Sequence, residues 1–61
     1  MTLDKKLARL RKREGLSQAE VSEELDVSRQ AVTKWETGTS RPSIENLQSL
    51  SRLYNVLLEY L

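Results

Sequence analysis

Arg29, Gln30, Thr33 and Lys34 stand one step and one helical turn apart. A helix through them shows all four on neighbouring faces. Each hydrogen-bonds readily and none is acidic, so the set suits recognition rather than catalysis. Arg29 can pair with guanine O6 and N7, and Gln30 with adenine N6 and N7. Thr33 can meet a thymine methyl group; Lys34 can reach a guanine or a phosphate. Ala31 is small enough to let the helix approach closely. These side chains suit a helix that enters the major groove of double-stranded DNA. The plain alternative is a solvated polar face.

Catalysis finds little support. The chain has no Cys and no His, which removes the usual thiolate and imidazole nucleophiles, bases and metal ligands. Glu20, Glu23 and Glu24 fit a solvated helix face. No Gly-rich loop could cradle a phosphate, and no nucleophile has a base beside it. We expect no enzyme, no metal and no cofactor. No apolar run approaches the roughly 20 residues of a membrane span. The opening residues, Met-Thr-Leu-Asp-Lys-Lys, lack the apolar core of a signal peptide. No membrane contact is expected, and a cytoplasmic, reducing compartment is compatible with the composition.

Two short helices must position the four side chains. Ser17 reads as the N-cap of a helix from Gln18 to Leu25, and Glu20 three residues on completes a capping box. Asp26-Val27 forms the turn. Ser28 caps a second helix from Arg29 to Thr37, and Gly38 can supply the left-handed residue that closes it. Val21 and Leu25 mark the inward stripe of the first helix; Val32 and Trp35 mark that of the second.

In its order and spacing, the stretch resembles the helix-turn-helix of the Xre or Cro/C1-type, phage-repressor-like family. The matching residues are Leu16, Ser17-Gln18, Val21, Leu25, Val27-Ser28, Val32, Trp35-Glu36, Gly38 and Arg41-Pro42. The likeness covers nearly the whole chain. It implies an all-α fold: a compact bundle of five short helices around a central helix-turn-helix, like the lambda-repressor DNA-binding domain. Two positions depart from the family pattern, Ser22 for the usual Ala and Asp26 for the usual Gly. Ser22 is nearly as small as Ala, and Asp26 must take a positive φ, which Asp tolerates better than most residues.

The resemblance also implies roles. Arg29, Gln30 and Lys34 hold the positions most used for bases. Gln18 would lie on phosphate and against the recognition helix. Arg11 and Glu36 would pair across the core, the alternative for Arg11 being an unpaired surface side chain. The family generally binds as dimers on two half-sites about 34 Å apart.

Elsewhere, the 61 residues bound a single domain, 1–61. Such a domain buries only roughly 60% of its unfolded surface. Net charge is only +1, yet the first fourteen residues carry six basic side chains against two acidic ones. Thr2 can cap a first helix from Leu3 to Glu14, with Leu3, Leu7 and Leu10 inward and Gly15 past its end. Thr39, Ser40 and Arg41 form a loop suited to the DNA backbone. The helix starts at Ser17, Ser28 and Ser43 also suit an anion, alongside plain capping. Ser43 caps a fourth helix, Ile44 to Tyr54, with Ile44, Leu47, Leu50, Ser51 and Tyr54 inward and Leu53 marginal. Asn55 follows as a left-handed cap.

Leu57 to Leu61 can make a short fifth helix. Leu58 and Leu61 fit core positions, whereas Leu57 and Tyr60 are surplus. Leu57, Tyr60 and Leu61 are the candidate contacts of a homodimer or of a further domain, with incidental exposure as the alternative. Together these features suggest a bacterial or phage transcription regulator, most simply a repressor on a palindromic operator. The alternatives are an antitoxin, the DNA-binding domain of a longer regulator, or a protein-interaction module that uses the Leu-rich tail.

Overall fold

The computed structural model describes residues 1–61. Four α-helices follow in order: α1 (Leu3–Arg13), α2 (Gln18–Leu25), α3 (Arg29–Thr37) and α4 (Ile44–Leu53). The expected fifth helix is a single 3-10 turn, Leu58–Tyr60. None of the helices is long and apolar enough to cross a membrane.

Small polar residues start three of the helices. The Ser17 hydroxyl accepts from the Glu20 amide at 3.0 Å, and the Ser17 amide donates to Glu20 Oε1 at 2.8 Å, which closes the capping box. Ser28 accepts from the Ala31 amide and Ser43 from the Asn46 amide. Thr2 differs from expectation: it sits at the N-cap of α1, but its hydroxyl caps no amide. That hydroxyl instead leads the interactions that hold the Asp4 carboxyl below its ordinary value.

Left-handed residues follow all four helices: Gly15, Asp26, Gly38 and Asn55, with φ of 72°, 56°, 79° and 55°. Asp26 therefore takes the conformation that its place in the turn requires. Beyond Asp26, the Val27 amide returns to the Ser22 carbonyl at 3.0 Å. α1 ends in the same manner, with the Leu16 amide on the Arg11 carbonyl at 3.1 Å.

Leu7, Leu10, Val21, Val32, Trp35, Leu50 and Tyr54 make the core. Leu3, Leu16, Leu25, Val27, Leu53, Val56 and Leu61 pack around them. Ser22 is buried too, and its hydroxyl is satisfied by the Ala19 carbonyl at 2.7 Å. The small side chain thus lets the helices approach without an orphaned polar group.

α4 and the tail depart from the expected inward pattern. Ile44 is 56% exposed and Leu47 only half-buried. The fully buried positions, Leu50 and Tyr54, belong to the end of α4, so its first turn runs out past the core. Leu58 is 38% exposed rather than a core residue. Five residues are too few to nucleate a stable α-helix, and one 3-10 turn is the usual result. Lys6 holds that turn: Nζ donates to the Tyr60 carbonyl at 2.8 Å and lies 4.8 Å from the centre of the Tyr60 ring.

Candidate nucleic-acid interface

α3 separates two kinds of surface. Val32 and Trp35 are buried, whereas Arg29, Gln30 and Lys34 are exposed. With the half-buried Thr33 they line one open, shallow groove. Its lining is polar and carries two cations and no acid.

A chain of hydrogen bonds beneath this face sets the seat of α3. Arg11 reaches from α1 and meets Glu36 side by side: Nε donates to Oε2 at 2.8 Å and Nη2 to Oε1 at 3.0 Å. Arg11 Nη1 donates to the Leu16 carbonyl at 2.9 Å. The Arg11 and Glu36 side chains are 13% and 5% exposed, so water screens the pair little. The bond to Glu36 raises the pKa of Arg11 above its already high ordinary value, against the cost of burial. Gln18, from the first turn of α2, donates through Nε2 to Glu36 Oε1 at 3.1 Å. Gln18 Oε1 in turn accepts from the Thr33 hydroxyl at 2.8 Å. Three helices are thereby tied through one carboxylate.

The residues after α3 form a second patch. Thr39, Ser40 and Arg41 are exposed. The Thr39 hydroxyl lies 3.0 Å from that of Thr37. Ser40 and Arg41 border a shallow hollow with Thr2, Leu3, Asp4, Trp35 and Gly38. Gly38 is needed there twice over. Its φ is positive, and an added Cβ would stand 3.2 Å from Asp4 Oδ2.

Arg29, Gln30, Thr33 and Lys34 thus share one face, with Gln18 joined to it through Thr33. Ser28 is at the start of the same helix, its hydroxyl engaged in capping. Leu57 and Tyr60 are exposed, at 71% and 47%, while Leu61 packs against the core. Sequence reasoning missed the Gln18–Thr33 bond, the Lys6–Tyr60 clamp, and the bond from Arg13 Nη2 to the Tyr54 carbonyl at 2.7 Å. Each joins residues remote in sequence; the family resemblance sets Gln18 against the recognition helix without naming Thr33, and no motif marks the other two.

Known proteins resemble this chain in sequence and fold. A helix-turn-helix family model, HTH_3, matches residues 7–61. An HTH-type transcriptional activator, BcrR of Enterococcus faecalis, is 38% identical over 61 residues, covering 100% of this chain and 30% of that protein. The HTH-type transcriptional regulator ImmR of Bacillus subtilis (strain 168) is 34% identical, again over 100% of this chain and 48% of the relative. The chain therefore spans less than half the length of either curated relative. The P22 c2 repressor, solved in complex with a synthetic operator, superposes with a TM-score of 0.93 at 27% identity, covering 98% of this chain and 91% of that one.

Proposed function

Since this chain belongs to the HTH_3 helix-turn-helix family, we propose that it is a sequence-specific, double-stranded DNA-binding transcription regulator that inserts α3 into the major groove. The observation that carries this reading is the exposed set Arg29, Gln30 and Lys34, grouped with Thr33 on a helix whose opposite face is locked in the core. Arg29 and Gln30 lie in the first turn of α3 and read base edges; Lys34, one turn on, reaches a guanine or a phosphate. Gln18 retains one amide hydrogen beyond its bond to Glu36, and this donor suits a phosphate. The N-terminus of α3 at Ser28, with Thr39, Ser40 and Arg41, positions the module along the backbone.

A single module touches few base pairs, so the proposed binding unit is a homodimer on a palindromic operator. Leu57 and Tyr60 offer the exposed apolar surface for the second copy, next to Leu61, which is partly buried against the core. Occupying an operator acts most simply as repression. The names of the relatives include both an activator and a repressor, so a reporter assay is needed to read the sign. Selection from random duplexes tests the proposal. A palindrome with half-sites one helical turn apart, about 34 Å, is the expected result. Absence of binding at low salt would overturn it and favour a protein-interaction module centred on the tail.

A further inference from the structure

Thr33 lines the outward groove with Arg29, Gln30 and Lys34, yet its hydroxyl is turned back into the fold. Oγ1 lies 2.8 Å from Gln18 Oε1 and 3.1 Å from the Arg29 carbonyl oxygen. Both neighbours are acceptors, so the one hydroxyl proton is engaged internally whichever it chooses. The Gln18 amide is not free to turn round. Its Nε2 faces Glu36 Oε1 at 3.1 Å, and a flipped amide would set oxygen against that carboxylate. Arg11 fixes the carboxylate in turn through two hydrogen bonds. The chain Arg11, Glu36, Gln18, Thr33 therefore has one consistent direction, with every donor facing an acceptor. With its only proton spent inside the fold, Thr33 has no donor left for a partner in the groove; what it can offer is its methyl group and the lone pairs of its oxygen.

We propose that Thr33 is a specificity-determining residue that reads the C5-methyl group of a thymine by packing and donates no hydrogen bond to any base. Glu36 and Gln18 act as positioning residues for it. The inference rests on the DNA reading above and deepens it, because it assigns one contact type to one side chain. A hydroxyl free to rotate would donate to several bases; a methyl group distinguishes only the presence or absence of another methyl group.

The test uses the duplex selected from the random library, resynthesised with deoxyuridine replacing each thymidine in turn. This removes one methyl group and leaves the Watson–Crick pair intact. The wild-type chain should lose about fourfold in affinity at one pair per half-site, the worth of one buried methyl-sized group. Thr33→Ser keeps the hydroxyl bond and drops the methyl; it should bind the thymine and uracil duplexes alike at that pair. Thr33→Val drops the hydroxyl and keeps a methyl; it should retain the fourfold preference. Thermal melts of both variants control for folding. Uracil indifference at every pair, or a preference that survives in Thr33→Ser, overturns this inference and leaves the DNA reading standing. Failure to enrich any duplex overturns the DNA reading, and this inference with it.

Discussion

Arg11 of α1 and Glu36 of α3 meet in a two-bond, side-by-side ion pair, 2.8 and 3.0 Å long, with the glutamate side chain 5% exposed. Burying two charges is costly, so the pair is weak evidence of net stability; leaving one of them alone is what destabilises. Arg11→Ala should therefore cost about 3 kcal/mol or more, because Glu36 stays buried with only Gln18 as a donor. Replacing both residues with apolar ones of similar volume should recover most of that loss. Urea titrations of the two single variants and the double variant measure this. Single losses that simply add in the double variant would show no coupling.

Asp26 is held at φ 56° and ψ 46° at the C-terminal end of α2. A left-handed backbone is costly for a residue with a Cβ, and a carboxylate opposes the negative end of the helix dipole. Asp26→Gly removes both penalties and adds some unfolded-state entropy. The expected net effect is a gain of about 0.5–1 kcal/mol, read as a rise in the thermal midpoint. A fall would mean that the Asp26 side chain makes a favourable contact of its own.

Tyr54 gives stability a pH dependence on the alkaline side. Burial, reinforced by Glu36 and opposed by Arg11, pushes its phenol from 10.0 up to about 12. The unfolded chain loses this proton first as pH rises. The tyrosine's contribution is therefore full below pH 10, falls between about 10 and 12, and is gone above. The loss is on the order of 2 kcal/mol. The difference in urea midpoint between wild type and Tyr54→Phe, followed from pH 8 upward, isolates it from lysine titration. A constant difference across that range would contradict it.

The capping serines, the apolar stripes and the turn residues made most of the fold legible in the sequence. Ser17 with Glu20 marks one helix start, and Gly38 and Asn55 mark two ends, all through local chemistry within a few residues. The tail was less legible because Leu57 to Leu61 can satisfy a helical pattern on paper yet is too short to nucleate one. Ile44 and Leu47 have helical spacing, but how far α4 overhangs the core depends on its packing against α2. For the site, exposure of Arg29, Gln30 and Lys34 follows from the apolar positions of α3. Spacing alone leaves the partner of Arg11 open; only the family resemblance points to Glu36. The Gln18–Thr33 bond spans 15 residues and depends on how α2 and α3 cross.

Arg41 and Gln30 should fail in different ways. Arg41 is exposed in the loop after α3 and is proposed to meet phosphate. Arg41→Ala should weaken binding to all duplexes alike and reduce the salt slope by about one unit. Gln30→Ala should cost about 1–3 kcal/mol on the selected duplex and relax the choice at one base pair. Affinities over a salt series, on the selected site and its single-pair variants, separate the two. A changed base preference in Arg41→Ala, or equal loss on every duplex in Gln30→Ala, would reverse the assignments.

The central claim, that the outward face of α3 reads base sequence, is tested most directly by one ratio. Affinity for the selected duplex is divided by affinity for a scrambled duplex of equal length and composition, at one fixed salt concentration. A sequence reader should give about 10³ or more, and Arg29→Ala should lower the ratio through the selected duplex far more than through the scrambled one. Equal affinity of the wild-type chain for both duplexes would contradict the claim.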